Sequence, residues 1–215
     1  CAATVAAGGA LPPGLWDEVQ AALASTEAAA GKAFGVPCAD PLLLSVRSGA
    51  ALSMPGMMDT VLNLGLNDEV VAAMEAGAGG DPVKVRWARD CYRRLLDMYG
   101  SVVLGLEHTA FEAEIEAVKA SVGAAAYVDL SAEDLAEVIT RYKGVLAAAG
   151  VALPSDPAAQ LEAAIGAVFR SWDTPRAIAY RRINRITGLK GEMERGEREE
   201  REGAGGRASS FVLST

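Results

Sequence analysis

The feature that most limits this chain is a train of helical apolar patterns through its middle and C-terminal parts. From Val85 onward, Ala88, Tyr92, Leu95, Leu96, Tyr99 and Val103 return at intervals of three and four. That spacing lays them on one face of a helix of about five turns. Phe111, Ile115 and Val118 repeat the pattern between Glu107 and Val122. Leu135, Val138, Ile139, Tyr142, Val145 and Leu146 repeat it after Ser131. Asp134, three residues past Ser131, completes a capping box with aspartate in the usual glutamate place, and Gly150 closes the segment. Asp156-Pro157 and Thr174-Pro175 open two more helices with proline at the first position. The first runs through Leu161, Ile165, Val168, Phe169 and Trp172, and the second reaches about Ile186. Nearer the start, a helix is predicted from Leu15 to Ala30, with Asp17 and Glu18 where the helix dipole favours acids. A short one is predicted from Asn67-Asp68 to the glycines of GAGG.

Against these helices stands one clear strand, PLLLSV at 41–46. It is a short apolar run bounded by proline and small residues. No partner is visible within the chain, and a lone strand is not stable, so some sheet partners are expected outside it. The fold class is therefore α+β and predominantly helical. Residues 11–191 carry the pattern. Residues 1–10 are small and unpatterned and are expected to be disordered. After Gly191 the apolar period gives way to a charged, glycine-rich tail, expected to be disordered or a frayed helix across 192–215.

Composition removes several function classes. The net charge of −8 makes a poor partner for nucleic acid, whose backbone calls for lysine and arginine. No apolar run approaches the roughly 20 residues of a membrane span. Cys1, Cys38 and Cys91 show no CxxC spacing, and with His108 as the single histidine they make no zinc set. Cys38 and Cys91 are expected to pack as small apolar groups. No signal peptide is visible, and a start at Cys1 suggests a fragment or a processed product.

The strand runs straight into VRSGAALSMPGMMDT. A guanidinium such as that of Arg47 is a fixed charge with a planar fork of donors, suited to phosphate. Small residues beside it let a ligand approach backbone amides. There is no GK[ST], so this is not a Walker A loop. The chemistry leaves a surface arginine before a flexible loop as the alternative. Met54, Met57 and Met58 around Pro55-Gly56 suit core filling, or an adaptable pocket for a flat ring. His108 and the glutamates 112, 114 and 116 are expected on a solvated helix face.

Three stretches carry a closer likeness. PLLLSVRSGAALSMPGMMDTVLNLGLNDEVV, YRRLLDMYGSVV and AVFRSWDTPRAIAYRRINRITGLKG closely resemble the N-terminal nucleotide-binding domain of the pyruvate, phosphate dikinases. The likeness spans Leu11 to Gly191. It implies a partial ATP-grasp-like domain with a helical subdomain that binds ATP with Mg2+. The family converts ATP, pyruvate and phosphate to AMP, phosphoenolpyruvate and diphosphate. It implies as partners a mobile phosphohistidine domain, a pyruvate/phosphoenolpyruvate barrel and a homo-oligomer. By the resemblance Arg47 contacts the ATP phosphates, and Ser48, Gly49, Ser53, Gly56 and Met58 fall in the loop over them. Arg93, Arg94, Arg181 and Arg182 would face ligand or the histidine domain, or form a solvated basic face. His108 is not the phosphorylated histidine, which belongs to the mobile domain.

The likeness also has breaks. The family's GGKGA-type segment with its ATP-binding lysine is expected before this chain. TAVNVQ and MVFGN should follow ITGLKG, and the acidic metal ligands come later still. From Glu192 the sequence departs from that pattern. These 215 residues alone are therefore expected to lack dikinase activity. The alternatives are a non-catalytic helical interaction module and a piece of a phosphoenolpyruvate synthase-like enzyme, the latter disfavoured by SMPGMMDT. The family implies the chloroplast stroma or the cytoplasm.

Overall fold

Helix α1, Leu15–Ala30, begins and ends where its sequence predicts, in a computed structural model that describes residues 11–48, 56, 58–186 and 211–214. The central helix pair is α3 (Pro82–Met98) and α5 (Ala132–Ala148). Asp81 opens α3 by accepting from the amides of Val83 and Lys84, with Pro82 at the first helical position. Of the predicted face, Ala88, Tyr92, Leu95 and Leu96 are buried in α3, joined by Asp90 and Cys91. Helix α5 opens with the predicted reciprocal box. The Asp134 amide donates to Ser131 Oγ at 3.2 Å, and the Ser131 amide donates to Asp134 Oδ2 at 2.8 Å. Gly150, at φ 71°, ends the segment in the left-handed region that glycine tolerates.

Helical periodicity predicts that α3 continues regularly to Val103. Instead Tyr99–Val103 forms a π turn. A close approach coincides with it. A Cβ on Gly100 would lie 2.4 Å from the Phe111 ring, so only glycine lets α4 (His108–Val122) press Phe111 onto this backbone. Phe111 is fully buried and meets Tyr142 of α5 edge-on, with centroids 5.1 Å apart and planes at 81°.

The strand has partners within the chain that the sequence pattern does not make visible. β1 (Leu44–Ser48) is the middle strand of a small antiparallel sheet, between β2 (Thr60–Leu64) and β3 (Phe211–Ser214). β2 escaped the sequence pattern because it is irregular. The register slips between Leu44 and Val46, and Asn63 sits there at φ 59°. The extra residue breaks the period-two alternation that marks a strand. Asn63 is held by a bond from its side-chain amide to the Cys91 carbonyl at 3.0 Å. β1 itself starts later than predicted and runs through Arg47. Of the tail expected to be disordered, 192–210 and 215 lie outside the described residues. Phe211–Ser214 departs from that expectation by pairing with β1. Residues 1–10 also lie outside the description.

Helix α2 (Asp68–Gly77) follows β2. Helix α6 (Pro157–Arg170) backs the sheet and contributes Leu161, Ala164, Ile165 and Val168, all fully buried. Its buried Gln160 ties the layers together. It accepts from the Gly65 amide at 3.1 Å and donates to the carbonyls of Leu66 and Pro154 at 2.9 and 2.7 Å. A buried amide satisfied on every side fixes where β2 leaves the sheet. After a short 3-10 turn at Ser171–Asp173, α7 (Pro175–Ile183) completes the order, ending earlier than the predicted Ile186. No helix among the described residues is long and apolar enough to cross a membrane.

Candidate functional site

β1 carries its charge at the end of a ladder. Val46 is fully buried, and Arg47, on the opposite face, is exposed. Arg47 stands opposite Thr60 of β2 and Val212 of β3. Among the described residues its guanidinium has no hydrogen bond or ion pair. Ser48 is half-buried beside it. Gly56 is exposed at φ 70°, and a Cβ there would meet nothing within 4 Å. The backbone angle, not crowding, is what calls for glycine at that position. Met58 is half-buried and touches both the main core and a satellite cluster of Trp172 and Ala177. Gly49 and Ser53 lie outside the described residues, as do Met54 and Met57. The structure thus gathers Arg47 and Ser48 at the ladder end. Met58 returns to the same sheet just before β2.

The residue between Met58 and Thr60 was not singled out by sequence reasoning. Asp59 donates its amide to Ser171 Oγ at 3.1 Å, and its carboxylate accepts from the Arg176 guanidinium. Ser171 is 2% exposed and donates onward to the Val168 carbonyl at 2.7 Å. Asp59 and Arg176 are 117 residues apart, so no spacing could reveal them. RSWDTPRA stood out only as a motif.

The other candidate arginines are mostly engaged in structure. Arg93 is neither a solvated face nor a free ligand contact. Its side chain is 11% exposed, pairs with Asp90 at 3.1 Å and lies 4.8 Å above the Tyr127 ring. Arg94 pairs with Asp90 at 2.9 Å. Arg181 stacks 4.2 Å over Trp172 and donates to its carbonyl. Arg182 is exposed, with no ion pair among the described residues. His108 is a surface residue at the start of α4, 2.8 Å from Asp97 and 3.4 Å from Glu112. Glu114 and Glu116 pair with Arg141 and Lys119. Cys91 is buried as expected, whereas Cys38 is half-exposed.

The shifted titrations belong to the helices, not to β1. Burial, helped by Asp90, pushes the Cys91 thiol up to about 11. Burial pushes Tyr99 up to about 12. Asp68 is lowered although burial opposes it, because Lys143 and Tyr92 donate to it. Among the described residues no group of three or more His, Cys, Asp or Glu could hold a metal ion. A groove of about 390 Å³ lies beside Trp87 and Lys84, with Ala39 and Met74 opposite. It does not include Arg47. Chemically, an exposed guanidinium with no partner among the described residues is suited to an anion.

Comparisons with known proteins bear on that anion. The family described as "Pyruvate phosphate dikinase, AMP/ATP-binding domain" matches residues 6–194. The chain is 55% identical over 192 residues to "Pyruvate, phosphate dikinase 1, chloroplastic" of Oryza sativa subsp. japonica, covering 89% of this chain and 20% of the relative. It is 54% identical over 185 residues to "Pyruvate, phosphate dikinase, chloroplastic" of Flaveria trinervia, covering 86% and 19%. To "Pyruvate, phosphate dikinase 2" of Zea mays it is 55% identical over 186 residues, covering 86% and 20%. The chain therefore spans about a fifth of the length of these curated relatives.

Proposed function

The chain belongs to the pyruvate phosphate dikinase family, and from that premise we propose that residues 11–191 form part of an ATP-binding domain whose phosphate contact is Arg47. The observation that carries the reading is the state of that arginine. It is exposed at the end of a paired strand and has no partner among the described residues, while Arg93 and Arg181 are bound up internally. A guanidinium exposed at that place can take two phosphate oxygens at once. In the intact enzyme it would stabilise charge as the β-phosphoryl group is attacked. Ser48, Gly49, Ser53, Gly56 and Met58 would line the loop over the phosphates. An ATP-grasp-like arrangement suits this use of a strand end.

The reaction proposed for the whole enzyme is that of the family. ATP, pyruvate and phosphate give AMP, phosphoenolpyruvate and diphosphate, with the phosphoryl group carried by a histidine on another domain. Mg2+ would accompany ATP and neutralise phosphate charge. The described carboxylates do not fit a metal site, so no step is assigned to the ion on this chain. The relatives named chloroplastic support the plastid stroma as the compartment. Phosphohistidine and pyruvate domains, and a homo-oligomer, complete the proposed assembly.

The test is titration of the 215-residue chain with ATP, with and without magnesium, by calorimetry. Arg47→Ala should weaken binding by roughly tenfold or more, the worth of a charge-assisted bond. Equal affinity in the variant would reject Arg47 as the contact. A coupled phosphoenolpyruvate assay on this chain alone should show no turnover. Steady turnover would reject the need for the further domains.

A further inference from the structure

The sheet end that carries Arg47 is the place where the ladder should be weakest. Terminal strand pairs open most readily, because they have neighbours on one side only. The last β1–β2 pair is Arg47 with Thr60. Directly before Thr60, however, the chain is held three ways. The Asp59 amide reaches the buried Ser171 hydroxyl at 3.1 Å, and the Asp59 carboxylate takes the Arg176 guanidinium. Met58 packs against Trp172 and Ala177. The holding turn is itself stiffened, since Arg181 stacks on Trp172 at 4.2 Å. Thr174 caps α7 by accepting from the Ala177 amide.

We propose that the Ser171–Arg176 turn is a clasp that closes the Arg47 end of the ladder, making Ser171, Arg176 and Asp59 positioning residues for the guanidinium. Arg176 is not itself the anion contact, because its charge is spent on Asp59. With the clasp shut, Thr60 stays paired with Arg47, and the direction in which the arginine leaves the sheet is fixed. With it open, the pair frays and the guanidinium samples other directions. Affinity for phosphate then falls, because the arginine must be ordered during binding. This inference rests on the nucleotide reading for its ligand, but not for the clasp itself.

Two readouts on the full 215-residue chain separate the parts. The first is amide hydrogen exchange at 46–48 and 59–61 without nucleotide. Arg176→Ala should raise it roughly two- to fivefold, as suits a partly exposed ion pair. Ser171→Ala should raise it about fivefold or more, because it strands a backbone donor. Arg176→Lys should restore slow exchange. The second readout is the Kd for ATP, which should rise by similar factors while the melting temperature barely moves. In an Arg47→Lys background the Arg176→Ala effect on Kd should shrink, as expected for residues acting through one another. Unchanged exchange in both clasp variants would overturn the clasp. Fully additive effects on Kd would overturn its action through Arg47. Faster exchange in a chain that binds no ATP would support the clasp and reject the nucleotide reading.

Discussion

Helix α3 and the end of β1 both display arginine, and they use it in opposite ways. On α3, Arg86 donates to the carbonyls of Leu130 and Val128 at 2.7 and 3.3 Å. Arg89 grips Glu75 at 2.7 Å and the Ala132 carbonyl at 2.8 Å. Arg93 and Arg94 share Asp90. Each of these guanidiniums ties α3 to another segment or to its own acids. At the end of β1, Arg47 is exposed and unpaired among the described residues. The residue type is the same, and the difference lies in whether the fold supplies an acceptor. An arginine that the fold satisfies is a strut. One with no acceptor among the described residues has its donors available to a ligand.

Substitutions at the two kinds of arginine, and in the core behind them, should have unequal effects. The largest effect is expected deep in the helical layer. Phe111→Ala removes a fully buried ring stacked edge-on against Tyr142, and should cost about 3–5 kcal/mol in a chemical denaturation. Arg89→Ala is next. It breaks a part-buried pair with Glu75 and leaves the Ala132 carbonyl short of a donor. Roughly 1–3 kcal/mol of stability should be lost, with ATP affinity unchanged in calorimetry. Arg47→Ala should do the reverse, with stability within about 0.5 kcal/mol of the parent and ATP affinity reduced. If both variants lose stability alike, the division between strut and ligand contact fails.

A smaller effect separates the regions by pH. Cys91 has its ordinary value of 9.0 raised to about 11, and Tyr99 its ordinary 10.0 raised to about 12, both by burial. An acid whose folded pKa is raised keeps its proton longer in the folded chain than in the unfolded one. The stability carried by these two groups should therefore be full below about pH 9 and fall between about pH 9 and 12, and Tyr92, also raised by burial, extends the fall further. Urea midpoints across that window check the sign. Cys91→Ala should flatten the early part of the fall.

The helices were legible because their ends are written locally. Asp81-Pro82, Ser131 with Asp134, and Asp156-Pro157 each place the cap beside the helix it starts. β2 was not, because Asn63 at φ 59° and the slipped register erase its alternation. Arg47 stood out twice, from guanidinium chemistry beside small residues and from the family likeness of its surroundings, while its exposure at the end of a paired strand came from the fold. Asp59 and Arg176 were legible neither way. Their pairing is created by the chain returning from α6 to the sheet, and nothing near either residue encodes the other.

The π turn at Tyr99–Val103 has a consequence for how sequences of this kind can change length. A regular helix advances about 100° per residue, so an inserted residue normally swings everything beyond it out of alignment. A widened turn takes up one surplus residue locally. The stretch from Tyr99 to Val103, with Gly100 at its second position, is therefore a joint where one residue can be lost while α3 and α4 keep their places. Relatives one residue shorter there would show an unbroken α-helical pitch in place of the wide turn.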